Sequence, residues 1–470
     1  MPHELPAARL NASGALVVDY TAIVRLALPL FVNSAIQAIL NVTDIWFIGR
    51  ISVEATAAIG AINWLVIIAI LALGGLGLGV QALVSQAYGA RRYRRAASLT
   101  WNALWGTLLT IPLFLMVAQA CGTLLHPFGL PKNTVGIASL FWEPRLQWAA
   151  VSAALWAVSG FFNGIGRPVF TLWVMGVVAT SNIVLNAWFM FGLGLGMAGV
   201  AWATNLATTS GLVVAIWIFT SARFQRQFAT RLLWRVRWSR LRAVCSLGFP
   251  IGLFFSVDLF GLALFQIMTT KVGLIDGAAT QIVMTLTSIA YWPAIGIAMA
   301  GTTFVGTAVG AKRPDWAFTL GNSVGKITAC YMGAVGLMLA ILGPLLMPAF
   351  AGARDPNASA VMQLGVTLLW IAAAYQFFDG LNLGFGACLR GAGDVLTPTL
   401  WLALLSLGVF VPLTHMLTFA PEGGWVAFLP HLGYGAPGAW VAAFVYVALL
   451  GSTLALRWQG KRWMGIRSST

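Results

Sequence analysis

The chain of 470 residues is short of charge, and of acid above all: Asp and Glu number 12, His 4 and Cys 4, and charged residues make up 8%. A soluble domain carries roughly 25% charged residues, so a water-soluble enzyme or binding module is excluded. Cys121, Cys245, Cys330 and Cys388 sit in or beside apolar stretches without CxxC spacing. That argues against a disulfide framework or a metal site and marks them as small packing residues. His3, His126, His415 and His431 form no HExxH pattern, and no Ser/His/Asp or P-loop arrangement stands out, so no enzyme and no organic cofactor is expected. Gly194-Leu-Gly196-Met-Ala-Gly199 and Gly433-Tyr-Gly435-Ala-Pro-Gly438 spell GxGxxG, yet each lies between apolar helices rather than after a strand, so dinucleotide binding is declined. The first twenty residues contain Glu4 and Asp19 and no apolar core, which does not fit a cleavable signal.

What the chain has is hydrophobic sequence: 59% of residues. Twelve apolar windows, running from residues 22–47 to 437–457, each reach the ~20 residues needed to cross a bilayer. The fold class is therefore an all-α polytopic membrane protein with twelve transmembrane helices. The net charge of +15 does not point to nucleic acid, because the basic residues alternate between sides. Arg91, Arg92, Arg94 and Arg95 follow the second window, seven arginines from Arg223 to Arg242 follow the sixth, and Arg457, Lys461, Arg462 and Arg467 fill the tail. All three groups fall on one side of a twelve-span topology, and the positive-inside rule makes that side cytoplasmic. The opposite connections hold only scattered charges such as Arg50, Glu54, Lys132, Lys271, Asp276, Arg354, Asp355 and Glu422. A multi-pass protein of the cell's inner (plasma) membrane with both termini cytoplasmic is the expectation.

The two halves repeat each other. Pro29 and Pro250 stand 221 residues apart, and the same offset relates Ala57-Ala58 to Ala278-Ala279 and Gly89-Ala90-Arg91 to Gly310-Ala311-Lys312. Gly164-Ile165-Gly166 then matches Gly391-Ala392-Gly393, and Thr171-Leu172-Trp173 matches Thr399-Leu400-Trp401. Six helices per half make this a parallel repeat, with an N-lobe over 1–221, a basic cytoplasmic linker over 222–242 and a C-lobe over 243–470. The linker reads as a solvated loop with Trp234 and Trp238 near headgroups.

Only Asp44, Asp258 and Asp379 fall well inside long apolar stretches. An acid in hydrocarbon costs several kcal/mol unless paired, hydrated or protonated, so each is a candidate functional group, here for cation coupling. Asn33, Gln37, Asn41 and Asp44 step along one face of the first helix, and Asp258 holds in the second half the place of Gln37 in the first. Tyr375, Asp379 and Asn382 share a face of the tenth helix, Gln281, Thr285 and Ser288 one of the eighth, and Asn182 and Asn186 one of the fifth. These polar stripes are candidate cavity linings; ordinary hydrogen bonding between helices is the simpler account of any single Asn or Gln.

Over essentially its whole length the sequence resembles the multidrug and toxic compound extrusion (MATE) transporters. The resemblance is carried by Pro29, VTDIWFIGR (42–50), EATAAIGAINW (54–64), GVQALVSQAYGARR (79–92), SNIVLNAWFMFGLGLGMAGVAWAT (181–204) and YQFFDGLNLGFGACLRGAGD (375–394). It implies that Asp44 matches the acid used for cation coupling in the N-lobe and Asp379 the one implicated in the C-lobe. Some members carry an acid in the fifth helix where this chain has Asn186, and others a Glu in the seventh helix where this chain has Ser256, with Asp258 two residues on. The resemblance further implies an antiporter exporting lipophilic, mostly cationic drugs by rocking alternating access against H+ or Na+. Asp379 or Asp44 would hold the Na+ if that is the ion. The expected partners are small cationic substrates and the lipid bilayer, with no nucleic acid and a monomer as the working unit. The rival expectation is a flippase for an anionic lipid-linked precursor. It is disfavoured because the mid-helix charges are acids, while Arg25, Arg145 and Lys326 lie nearer helix ends.

Overall fold

A computed structural model describes residues 5–11, 15–49, 53–125, 132–350, 357–421, 423–426 and 429–465. Glu4, Arg50, Arg354, Asp355, Glu422 and Arg467 lie outside the described residues, as do the side chains of Asn41, Glu54 and Lys132. Backbone groups in lipid must bond within their own segment, and the chain solves this with helices throughout. Among the described residues eleven helices are long and apolar enough to cross a bilayer. The first half runs Tyr20–Gly49, Val53–Gly89, Tyr93–Leu109 continued by Ile111–Gln119, the pair Lys132–Gln147 and Ala149–Gly164, Val169–Ala187 with Trp188–Gly192, and Gly196–Phe219. The second half runs Trp238–Val272, Leu274–Gly310, Pro314–Phe350, Ala358–Ala392, the broken helix Leu396–Thr418, and Gly435–Gln459.

The interrupted pair in the first half completes the set of twelve. Its break at Trp148 has a local cause: the Pro144 carbonyl accepts from Asn205 Nδ2 at 2.7 Å as well as from the Trp148 amide at 3.2 Å. A side chain inserted into the helical ladder is a standard source of such a kink. One small departure from an all-helical chain precedes the first helix, where Ala8–Leu10 and Leu16–Val18 form an antiparallel hairpin.

The repeat extends to individual backbone conformations. Arg91 and Lys312 both take the left-handed region, at φ 57° and 58°, although neither is glycine. Gly194 and Gly433 (65° and 70°), and Gly196 and Gly435 (56° and 62°), do the same in the two GxGxxG hairpins, so these glycines turn the chain between helices. The fifth and eleventh helices each contain a five-residue π segment, Trp188–Gly192 and Ser406–Phe410.

Packing between the halves concentrates at the Arg-rich end and the centre. Gln81 Nε2 donates to the Met299 carbonyl at 2.9 Å and to Thr303 Oγ1 at 3.0 Å, and Gln86 Nε2 donates to the Gly391 carbonyl at 2.9 Å. Thr303 Oγ1 in turn donates to the Asn163 carbonyl at 3.0 Å. The lower half of the first helix, from Ile23 to Leu30, is buried in one cluster with residues of the second half, while Val244, Leu247 and Ile251 of the seventh helix join the cluster of the first. Each lobe thus lends the start of its first helix to the other. At the far end, Phe47, Ile62, Phe114, Trp142 and Met197 form a cluster whose members all belong to the first half.

The linker, solvated over much of its length as expected, is also docked at several points. Residues Ala222–Phe228 form a helix whose Phe224 and Phe228 are buried against Phe161, with ring centroids 5.9 and 5.1 Å away. Trp101 and Trp105 donate their indole N–H to the carbonyls of Thr230 (2.7 Å) and Trp234 (2.6 Å), and the Arg237 amide donates to Asn102 Oδ1 at 2.8 Å. Trp234 and Trp238 are exposed as expected. The cysteines are all free, but the packing role fits only three of them, since Cys330 is exposed.

Candidate functional site

Two acid centres emerge, one in each half. In the first, Asp44 near the end of the first helix accepts three hydrogen bonds from neutral side chains of two other helices. Asn186 Nδ2 donates to its Oδ1 at 2.8 Å, Asn182 Nδ2 to the same oxygen at 3.2 Å, and Thr204 Oγ1 to Oδ2 at 3.0 Å. Asn186 Nδ2 also donates to Asn182 Oδ1 at 3.1 Å, which locks the i, i+4 pair of the fifth helix into one unit. Asp44 lines a cavity of about 210 Å³ with Gln37, Asn63, Arg145, Ser152, Asn182, Thr204 and Thr208 among its walls.

Arg145 lies in the last turn of Lys132–Gln147, near a helix end as expected, and that end stands on the wall of this cavity. Its Nη1 donates to Asn205 Oδ1 at 3.1 Å, and no ion pair joins it to Asp44 among the described residues. This helix end falls within the crossing because the fourth span is broken at Trp148.

In the second half, Asp379 is buried in the tenth helix and accepts from Asn382 Nδ2 at 3.2 Å and, at the longer distance of 3.4 Å, from Tyr375 Oη. Asp258 of the seventh helix accepts from Tyr446 Oη of the twelfth at 2.8 Å. A run of ring contacts joins the two acids' tyrosine partners, from Tyr446 through Phe410, Phe265 and Trp440 to Tyr375. Asp258, the least supported acid in the sequence, is thereby linked to this centre.

The remaining candidates divide. Gln37 lines the Asp44 cavity and donates to Met175 Sδ at 3.5 Å. Asn33 shares its helix face but not its contacts; its buried Oδ1 has no partner. Asn41 belongs to the same stripe, and its side chain lies outside the described residues. Gln281 and Thr285 are exposed, and Thr285 and Ser288 donate only to carbonyls of their own helix, so this stripe does not reach the Asp379 centre. The eighth helix instead bonds the tenth through the Thr287 carbonyl, which accepts from Gln376 Nε2 at 3.2 Å. Tyr446 was missed because it lies alone on its helix, and Thr204 because its i, i+4 pairing with Thr208, which lines the same cavity, was passed over. Among the described residues no group of His, Cys, Asp and Glu has metal-site geometry.

Comparison with known proteins places this architecture. The MatE family model matches residues 29–188 and again 250–416, the two segments beginning at Pro29 and Pro250. A "Probable multidrug resistance protein NorM" of Mesorhizobium japonicum is 29% identical over 457 residues, covering 94% of this chain and 93% of the relative. A protein of the same description from Bradyrhizobium diazoefficiens is 28% identical, with 95% of each chain covered. Among solved structures, the outward-facing conformation of a multidrug resistance MATE family transporter of the MOP superfamily aligns with TM-score 0.79 at 19% identity, over 93% of this chain and 95% of that one. A MATE in the bent conformation aligns with TM-score 0.80 at 19% identity, over 96% and 97%. With both halves matched by one family model, the chain is a polytopic membrane protein belonging to the MatE family.

Proposed function

We propose that the protein is a cation-coupled antiporter that exports lipophilic, mostly cationic compounds, with H+ or Na+ moving inward. The observation that supports this best is the pair of acid centres, one per half: Asp44 among three neutral donors, and Asp379 with Asp258. A carboxylate held in a low-dielectric interior attracts one cation strongly and two poorly, so substrate and coupling ion compete for it. In this reading the competition takes place at Asp44, whose cavity admits the substrate, and the Asp379 centre supplies a second cation-coupling acid. Residues 1–221 and 243–470 rock as two lobes about the linker 222–242. The Arg-rich end faces the cytoplasm, with both termini there, in the inner (plasma) membrane. Contact between the lobes at that end makes the arrangement outward-facing.

The test is efflux of a cationic dye from proteoliposomes under an imposed pH gradient and, separately, an imposed Na+ gradient. One gradient drives efflux in the wild type, and Asp379→Asn and Asp44→Asn each abolish it. Wild-type efflux by the double variant overturns the proposal. Arg145 on the cavity wall favours, as a second reading, a cargo with a negative group, but Asp44 on the same wall opposes a purely anionic lipid-linked one.

A further inference from the structure

We propose that the arginine-lined depression between the third helix and the start of the seventh is a site for a phosphate-bearing anion, supplied by an acidic phospholipid of the leaflet at the Arg-rich end. The depression has a volume of about 560 Å³ and is walled by Arg91, Arg92, Arg94 and Arg95 of the first half and by Arg240 of the seventh helix, with Gln227 of the linker also on its wall. Two helices begin here, Tyr93–Leu109 and Trp238–Val272. Neither has an acid in its first turn or a side-chain cap at its N-cap residue, Arg92 in one and Arg237 in the other. A helix start carries partial positive charge, so gathering arginines at two of them is unfavourable until an anion joins them. Arg240 Nη1 is buried without a hydrogen-bond partner.

The repeat supplies the contrast. At the offset of 221, Arg94 and Arg240 correspond to Asp315 and Asp19. Asp315 lies in the first turn of the ninth helix, and Asp19 Oδ1 accepts from the Thr21 and Ala22 amides at 3.0 and 3.3 Å, the ordinary pairing of an acid with a helix start. Trp316, next to Asp315, donates to the Pro6 carbonyl at 3.0 Å, so the segment before the first helix lies against the ninth as the linker lies against the third. All four helices start on the same side of the twelve-span topology. The positive-inside rule therefore treats both corners alike and does not account for the reversed charge. The source of the phosphate is indicated by the strip that leads into Arg240. Leu232, Trp234, Val236 and Trp238, at every second position, are exposed by 70, 52, 47 and 77%. The Trp234 carbonyl is held by Trp105, so the backbone of this strip is fixed while its side chains stay outside. Such side chains suit the boundary between headgroups and acyl chains, and a guanidinium matches a phosphate through two parallel N–H bonds. A soluble phosphate would engage the arginines alone, whereas a phospholipid engages both the arginines and the apolar strip.

The test compares dioctanoyl phosphatidylglycerol with dioctanoyl phosphatidylcholine, which share their chains and differ in net headgroup charge. Binding to the fluorescently labelled full chain in detergent is read by thermophoresis. The wild type binds the phosphatidylglycerol about tenfold more tightly, and Arg94→Gln/Arg240→Gln removes that preference. Arg223→Gln/Arg226→Gln takes the same charge from linker residues outside the depression and keeps it. Equal affinity of the wild type for the two lipids overturns the proposal. Equal loss of preference in the two double variants overturns it as well, because net charge alone is then being read. Inorganic phosphate at matched ionic strength separates the two sources. Phosphatidylglycerol binding that persists in a large excess of phosphate supports the lipid, and displacement by phosphate at equal concentration overturns the lipid assignment. If the double variant is not monodisperse, Arg94→Gln at its exposed position carries the test. A loss of about threefold in the preference is expected there, and an unchanged preference overturns the proposal.

Discussion

Tyr446 Oη donates to Asp258 Oδ1 at 2.8 Å, and this bond ties the twelfth helix to the seventh beside the Asp379 centre. A hydrogen bond to a charged group contributes about 1.5–3 kcal/mol. Tyr446→Phe removes it while keeping the ring stacked on Phe410, whose centroid lies 4.8 Å away. Gradient-driven efflux by Tyr446→Phe is expected to fall about tenfold, together with a lower Tm in detergent, because the buried Asp258 carboxylate loses its donor. In a double-mutant cycle with Asp258→Asn the two losses do not add, because they touch one interaction. Full additivity in transport assays would separate Tyr446 from the acid centre.

Asn186 makes the shortest bond to Asp44 and holds an Oδ1 that is buried without a partner. Asn186→Leu leaves Asp44 short of a donor and is expected to cost about 1–3 kcal/mol of stability, read as a lower Tm in detergent. Asn186→Asp instead places a second carboxylate in the centre. Two carboxylates make a harder oxygen site for a monovalent cation, so a Na+-dependent rise in Tm should appear or grow in this variant relative to the wild type. Identical Na+ responses in the two proteins would show that position 186 does not address the ion.

The first centre was largely legible in the sequence, because Asn182 and Asn186 stand at i, i+4 and Asp44 ends a stripe of polar residues one helical turn apart. Tyr446 was not, since a single polar residue on a predominantly apolar helix carries no periodicity, whereas Thr204 and Thr208 form an i, i+4 pair that was open to reading. Gln281, Thr285 and Ser288 show the converse error. Hydroxyls bonded back to their own helix, as Thr285 is to the Gln281 carbonyl at 2.9 Å, produce the same spacing as a cavity lining. Arg145 does stand at a helix end, but the apolar window did not reveal that this end is the break at Trp148, inside the crossing and on the cavity wall. The parallel repeat was readable from short strings alone, and the matching left-handed Arg91 and Lys312 carry it into the backbone.

The docked linker makes a separate prediction. Trp101 and Trp105 hold it by indole bonds to Thr230 and Trp234, and both are lost in Trp101→Phe/Trp105→Phe. Trypsin cleavage at Arg231 and Arg235 should then speed up at least severalfold in native membranes with the Arg-rich face accessible, since local opening governs proteolysis of folded chains. Unchanged cleavage would mean that the buried Phe224 and Phe228 suffice to hold the segment.

Gly89 and Gly310, equivalent in the repeat, press on each other's helices: a Cβ on Gly89 would overlap the Thr307 carbonyl, and a Cβ on Gly310 the Gln86 carbonyl. Gln86 and Thr307 are themselves repeat equivalents, so the contact is reciprocal and closes the Arg-rich end by backbone against backbone. Overpacking of this kind costs typically 1–3 kcal/mol, enough to reverse a balance between two conformations of similar stability. Gly310→Val is therefore expected to shift the protein toward a state open at the Arg-rich end. The measurement is labelling of a cysteine introduced at Ser85, in a background lacking the four native cysteines, by a membrane-impermeant maleimide applied to inside-out vesicles. Labelling should rise severalfold in Gly310→Val and again in Gly89→Val. Ser85 supplies the control for orientation, because the same reagent applied to right-side-out vesicles should label it less in both variants than in the parent. A uniform rise from both sides would mean loosened packing rather than a change of state, and no rise would mean that the glycine contact does not set the balance.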